Sequence, residues 1–422
     1  MPPWLRIPYC AHLIRIVLRD RLFAEVVSGE SEFFEEEITM FENPHPRENA
    51  GIRQVVLLVT QSCNLNCKYC YETFKSRCHM SVSTGKKLLM RSFSEAAEDG
   101  TVNELAISYL GGEPLVNFDF IVEISEWLWS RKWPLKYSLD LTTNGTLLTQ
   151  ERRLWLEQNK SRIEVMLSLD GLNEAQSINR TDQYVDVNFF VRNWPQNRIN
   201  MVLYPDSIHY FAKSVKELLD RGIRCSVAMG AGFRWKSEAV REYEKQLSEL
   251  IPCFVANPVE ARRSGIFLNI EHCLKPVPLK VRLCSAETSH IICYDSDGKR
   301  YGCHMMTPLV LGREKAARLA QAQQKMDDIR VDERCRSCPI FHECRICPAM
   351  SIKVNNDVEK HYARDTYCNM MKVQARQSAI LICRYIDSLV KNNVYLDGIE
   401  RQLLQKALSI LNHIPSADML HF

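Results

Sequence analysis

Long hydrophobic runs are missing from this chain of 422 residues: stretches such as Val55 to Val59 fall far short of the ~20 apolar residues that a membrane span requires. Charge of one sign is equally scarce. The formal net charge is only +3, so nothing in it argues for a nucleic-acid surface or a strongly acidic partner, while local basic clusters remain open. Internal repeats and low-complexity segments are absent as well, so the chain is no solenoid and no disordered array. Met1 to Phe23 has no uninterrupted apolar core and is broken by Arg6, Arg15, Arg19 and Arg21, so no secretory signal is expected there and a cytoplasmic location is. Cysteine, by contrast, is abundant, 17 in all. In a chain read as cytoplasmic, cysteines in C-x2-C pairs point to metal or redox sites rather than disulfides.

An apolar fraction of 46% and this length suit two or three globular domains. From Gln54 onward, short β-rich runs alternate with amphipathic helical stretches, the pattern of βα units around a parallel sheet. Strands are expected at Gln54 to Thr60, Glu104 to Leu110, Tyr137 to Thr142, Ile163 to Leu169, Ile199 to Tyr204 and Ile223 to Met229. Crossover helices are expected at Ser83 to Asp99 with Thr84 as N-cap and Gly100 as stop, and at Phe118 to Trp133, Gln150 to Asn159 and Ser207 to Arg221. A charged helix follows at about Ser237 to Leu250, and two more between Met371 and Leu411. The expected architecture is α/β: a partial (β/α)6 barrel over 51–250, a bridge over 251–280, a cysteine-rich domain over 281–370 and C-terminal helices over 371–422. Residues 1–50, with the acidic run Glu30 to Glu37, form a separate N-terminal extension.

Reactive loops of such folds sit at the carboxyl ends of strands. The first strand leads directly into Gln61-Ser62-Cys63-Asn64-Leu65-Asn66-Cys67-Lys68-Tyr69-Cys70. Structural zinc would close its shell with a fourth ligand at short spacing, and only Cys78 and His79 follow. Three thiolates instead suit an iron-sulfur cube with one open iron. The run resembles the signature of the radical S-adenosylmethionine (SAM) superfamily, in which an aromatic residue, here Tyr69, precedes the last cysteine. The resemblance implies a [4Fe-4S] cluster on Cys63, Cys67 and Cys70 that chelates SAM and cleaves it to a 5'-deoxyadenosyl radical. A three-cysteine zinc site or core thiols are the alternative.

Further motifs extend the resemblance. Gly111-Gly112-Glu113-Pro114 after the second strand resembles the GGEP element that contacts the methionine amino group, implicating Gly111, Gly112 and Glu113. Thr143-Asn144-Gly145 after the third resembles the element near the ribose, implicating Thr143 and Asn144, although a plain turn explains it equally. Ser168-x-Asp170-Gly171 followed by Arg180 resembles a pattern in which the serine and arginine hold the ribose and carboxylate, with Asp170 either a contact or a strand closure. A solvent-facing Arg180 is the other reading.

A second constellation reads Cys284, Gly298-x4-Cys303, Cys335-x2-Cys338-x5-Cys344-x2-Cys347 and Cys368. It resembles the SPASM domain, departing at Cys344-x2-Cys347, where the family has three intervening residues. The resemblance implies two auxiliary [4Fe-4S] clusters: one on Cys284, Cys303 and Cys347 with Cys293, His290 or an open iron completing it, the other on Cys335, Cys338, Cys344 and Cys368. Zinc ribbons would fit the C-x2-C pairs locally. Cys10, Cys78, Cys225, Cys253, Cys273 and Cys383 read as buried thiols.

The family resemblance implies an enzyme, a radical SAM oxidoreductase that oxidatively modifies a ribosomally made peptide, a thioether or carbon-carbon crosslink being favoured. It implies an electron donor such as flavodoxin or ferredoxin, while the small net charge and the short apolar runs lead to the expectation of no nucleic-acid or membrane partner. The alternative is an anaerobic sulfatase-maturing, formylglycine-forming enzyme, whose members carry aspartate after the G-x4-C cysteine; here that position is His304, a candidate base. An iron-sulfur or zinc protein without catalysis is the alternative of another class.

Overall fold

A computed structural model gives the fold and describes residues 51–233, 235–275, 290–322, 335, 337–344, 347–355 and 367–420. Cys10, the acidic run and Cys284 lie outside the described residues. The six expected strands all form: β1 (Ile52–Thr60), β2 (Glu104–Gly111), β3 (Lys136–Thr143), β4 (Glu164–Leu167), β5 (Ile199–Leu203) and β6 (Cys225–Met229). Between them run α1 (Val82–Asp99), α2 (Phe118–Trp129), α3 (Gln150–Gln158), α4 (Glu174–Asn179), α5 (Val187–Asn193) and α6 (Phe211–Asp220). Each starts for a local reason. Ser81 rather than Thr84 caps α1, its hydroxyl accepting from the Thr84 amide, and Gly100 ends it in the left-handed region. The crossover expected from Ser207 begins as a 3-10 turn over Pro205–Tyr210, and α6 proper starts at Phe211.

Strands β1 to β4 pair in parallel in the order β4-β3-β2-β1, and a single parallel bridge from Ser168 to Asn200 carries the curve on to β5 and β6. The outward residues Val55, Leu57 and Val59 of β1 and Leu105, Ile107 and Tyr109 of β2 pack under Leu89 and Phe93 of α1 and Ile121 and Ile124 of α2. Val56 and Leu58 point to the other face. β1 is therefore buried on both sides, which is why it reads as one apolar run instead of an alternating one.

The sheet does not end at β1. A seventh strand, β7 (Ile291–Tyr294), adds in parallel to its free edge, with Val56 opposite Cys293 and Leu57 opposite Tyr294, and β8 (Arg300–Tyr301) closes a hairpin on β7. Gly298 makes that hairpin at φ +85°, and a Cβ there would press on Thr84 of α1. Outward-facing Tyr294 reaches the hydroxyl of Ser92 on α1 at 3.2 Å. After β6 come α7 (Ser237–Val255) and α8 (Pro258–Arg263); after β8 come α9 (Pro308–Leu311), α10 (Arg313–Ala322), α11 (Pro348–Asn355), α12 (Tyr367–Lys391) and α13 (Gly398–His413). The last two pack on each other through Ala375, Ala379, Leu404 and Ala407, forming a second core beneath Cys338 and Cys344. Among the described residues no helix is long and apolar enough to cross a membrane.

Candidate functional site

The cysteine loop leaves β1 at its carboxyl end and is tied down from several directions. Lys75 donates to the Leu65 carbonyl at 3.0 Å, the Lys68 amide donates to the Asn179 carbonyl at 2.9 Å, and Asn64 meets Asn144 at 3.0 Å and Thr146 at 2.8 Å. Cys63, Cys67 and Cys70 are all partly exposed, and no disulfide joins any two of the described cysteines. Burial pushes the Cys63 thiol up to about 11, and Cys67 rises for the same reason. Bare thiolates are disfavoured there, so a bound metal would have to hold them deprotonated. Among the described residues no three His, Cys, Asp or Glu side chains converge as on a single ion. A cluster makes no such demand, because its cysteines cap separate irons.

Gly111 and Gly112 lie against this loop rather than facing open space. A Cβ on Gly111, whose φ is +146°, would fall 2.2 Å from the Thr60 carbonyl oxygen, and one on Gly112 would fall 2.3 Å from that of Ser62. Glycine is required so that β2 can deliver Glu113 beside the first cysteine. Glu113 is fully buried and accepts from the Leu115 amide at 3.1 Å, the Thr143 hydroxyl at 2.7 Å and the Asn144 amide at 2.8 Å. Its carboxylate thus joins the ends of β2 and β3. Burial raises its pKa against the pull of those three donors and, more remotely, of Arg180.

Asp170 is the hub of the opposite wall. Its carboxylate accepts from Tyr69 Oη at 2.5 Å, Asn179 Nδ2 at 3.1 Å and the Val202 amide at 2.9 Å, and pairs with Arg180 Nε at 3.1 Å. The guanidinium also lies over the Tyr69 ring, 5.3 Å from its centroid. Arg180 is therefore buried beside the cysteine loop and does not face solvent. Three polar atoms at this end of α4 are buried without a hydrogen bond: Arg180 Nε, whose ion pair is off-axis, Asn179 Oδ1 and Gln176 Nε2. Ser168 stands at the crossing from β4 to β5, its amide donating to the Thr143 carbonyl at 2.8 Å.

On the far side of the loop, Tyr71 is packed between the barrel and the C-terminal region, its pKa raised by burial and then by the charges of Glu72, Cys70, Cys303 and Cys293. Its ring lies 6.1 Å from that of His304, and Lys353 of α11 donates to its carbonyl and to Thr73. Burial lifts Glu72 to about 7 and lowers His304, so both are drawn toward their neutral forms at this junction. His304 Nδ1 sits 3.6 Å from Cys303 Sγ. Glu72, Tyr71, Asn179, Gln176 and Lys353 carried no motif signal; only adjacency to Cys70 and Arg180 could have suggested the first four.

The structure brings Cys293 to Cys303: it is fully buried on the inner face of β7, its thiol raised by burial and then by the Cys303 charge. Cys347 packs in the same cluster. His290 is exposed at the other end of β7, where its carbonyl meets the amide of Gln54 at 2.7 Å. Cys344 is pushed up to about 12 by burial and then by the charges of Cys368, Cys338 and Cys335. Cys225, Cys273 and Cys383 are buried, while Cys253 is exposed and Cys78 partly so.

Residues 57–242 match the Radical SAM superfamily. The chain carries a radical SAM domain. A radical SAM domain implies a [4Fe-4S] cluster and SAM, and the donor set fits them: three thiols on one strand-end loop, with the Arg180 guanidinium and an unpartnered, buried Asn179 Oδ1 opposite. The domain is similar to the radical SAM cyclopropyl synthase TigE of Paramaledivibacter caminithermalis, 25% identical over 184 residues, 39% of this chain and 38% of that one. The chain thus spans about two fifths of the length of that relative. A probable GTP 3',8-cyclase of Methanopyrus kandleri is 27% identical over 304 residues, 64% of this chain and 87% of the relative. In fold the chain resembles native anSMEcpe solved with bound AdoMet and a Cp18Cys peptide, at 20% identity and TM-score 0.55, covering 81% of this chain and 99% of that one.

Proposed function

We propose that this chain is a radical SAM oxidoreductase that oxidatively modifies a peptide, carrying one SAM-binding and two auxiliary [4Fe-4S] clusters. The observation that carries the reading is the packing of Tyr71 between Cys70 of the strand-end loop and Cys303 of the C-terminal region, which sets two groups of cysteines on one interior. Cys63, Cys67 and Cys70 would hold the first cluster; Cys293, Cys303 and Cys347 with Cys284 the second; Cys335, Cys338, Cys344 and Cys368 the third. When bound, the first cluster and SAM supply a 5'-deoxyadenosyl radical able to take a hydrogen atom from an unactivated carbon.

The residues of the chain then orient and exclude. The Gly111-Gly112 backbone and Glu113 would face the amino group of SAM, the Arg180 guanidinium its carboxylate, and Thr143, Asn144, Ser168 and Asn179 the nucleoside. Asp170 acts through Tyr69 and Arg180, holding both in place. Neutral His304, with Glu72 beside it, would accept the proton that a substrate loses on oxidation. A flavodoxin or ferredoxin would supply the first electron, and the cytoplasm is the expected location.

Anaerobic reconstitution should give about twelve iron and twelve sulfide per chain, with 5'-deoxyadenosine released on reduction. Turnover with candidate cysteine-rich peptides, read by mass spectrometry, should remove two hydrogens. Cleavage of SAM that survives Cys63→Ala, or a preparation holding only zinc, would overturn the enzyme reading. Conversion of a sulfatase cysteine or serine to formylglycine would select the alternative substrate instead.

A further inference from the structure

Outside the barrel, α7 and α12 diverge around a cavity of about 550 Å³ that the radical chemistry does not use. Its floor is polar. Glu244 is already satisfied, accepting from Gln377 Nε2 at 3.2 Å and the Ala417 amide at 2.9 Å and pairing with Arg376 at 3.6 Å. Gln377 lines the cavity and is 4% exposed, yet its Oε1 is buried without a donor. Exchanging the two amide atoms would not help, because it would set Oε1 against the Glu244 carboxylate. A ligand that displaces this side chain enough to reach Oε1 is therefore asked for an N–H or O–H.

The rim asks for negative charge. Arg241 and Lys245 stand one turn apart on α7, and Arg384 lines the cavity from α12, against Asp418, the one acid among the described lining residues for which no ion pair is found. The rim pairs of Arg241 with Glu238 at 3.8 Å and of Lys245 with Glu242 at 3.7 Å are long and exposed, hence weak. The α7 wall runs from Arg241 to Ser248, about 10 Å at 1.5 Å per residue, which matches about three residues of extended peptide.

We propose that this cavity docks an acidic stretch of the peptide substrate, at a distance in sequence from the residue that is modified. A peptide amide donates to Gln377 Oε1, and carboxylates meet Arg241, Lys245 and Arg384. The choice of a peptide rests on the peptide-modifying reading above; the cation excess and the orphaned acceptor do not.

The test is fluorescence anisotropy of the cluster-loaded, full-length protein with a fluorescein-labelled peptide containing Asp-Glu-Asp, against its Asn-Gln-Asn counterpart. The acidic peptide should bind at least tenfold more tightly, and less so as salt is raised. Arg241→Glu/Lys245→Glu, both on the exposed rim, should abolish that preference while SAM cleavage and thermal midpoint stay as in the parent. Gln377→Leu should weaken the acidic peptide by about the worth of one hydrogen bond, several-fold. Equal binding of the two peptides, or of parent and double variant, overturns the inference. So does displacement by GTP or tripolyphosphate with no acidic-peptide binding at all, which would make this a small-anion site. SAM cleavage is measured on the same samples, so its loss counts against the enzyme reading and leaves the docking result separately legible.

Discussion

Replacing Asp170 by Asn would leave the Arg180 guanidinium buried without its counter-charge and would weaken the 2.5 Å bond from Tyr69. Breaking a buried pair by removing one partner costs about 3–5 kcal/mol, so Asp170→Asn should lower the urea midpoint markedly, whereas Tyr69→Phe should lose only about 2 kcal/mol. Because the pair also fixes the cysteine loop, both variants should retain less iron after anaerobic reconstitution. If Asp170→Asn proves as stable as the parent, the hub has been misjudged. Asp140 behaves differently. It faces the barrel interior, accepts from Ser108 at 2.6 Å, and is lifted to about 6 by burial, with the Glu164 charge adding to the rise. Its folded pKa lies above the unfolded one, so the folded state holds the proton more tightly and stability falls as pH rises from about 4 to about 6. Asp140→Asn should flatten that fall and gain about 1 kcal/mol at pH 7, measured from denaturation midpoints at pH 5 and pH 7.

At the scale of elements, the site depends on two strand-end loops lying closer than side chains allow. Gly112→Ala drives a Cβ to 2.3 Å from the Ser62 carbonyl, a backbone atom that cannot step aside without moving Cys63. The variant should fold, lose thermal stability by several degrees and bind its first cluster poorly, as read by iron content; an unaltered iron content would show the loops to be independent. The bounds of α1 were legible to within a few residues because caps and left-handed glycines act locally, Ser81 and Gly100 lying beside the expected Thr84 and at the expected stop, whereas the Asp397 and Glu400 capping box that opens α13 was not read from the sequence. The Pro205–Tyr210 turn was not, since its residues suit α-helix and 3-10 helix alike and packing decides between them. β7 escaped notice for a similar reason: four residues carry too little periodicity to announce a strand, and only the free edge of β1 makes them one.

For the whole molecule, that strand changes what counts as the barrel. A chain ended at residue 250 would strip β7 and α9 from the inner side of β1, exposing an unpaired edge next to Val56 and Leu58. Such an edge invites association. The shortened chain should aggregate on gel filtration and be cut quickly by protease, whereas a self-sufficient barrel would remain monomeric. The sequence by itself pointed to the class of chemistry and to the order of the first six strands. Cys63, Cys67 and Cys70 follow a strand at a spacing that few other uses share, and βα alternation is a pattern of neighbours along the chain. Only the tertiary structure decided that Cys293 meets Cys303 while His290 points away, that Gly111 and Gly112 serve the contact between two loops, and that Asp170 braces Tyr69 and Arg180. Those contacts join residues far apart in the chain, and no local propensity encodes which distant side chain will share a buried charge or a shortage of space. They are settled when the strands take their register and the loops at their ends pack on one another.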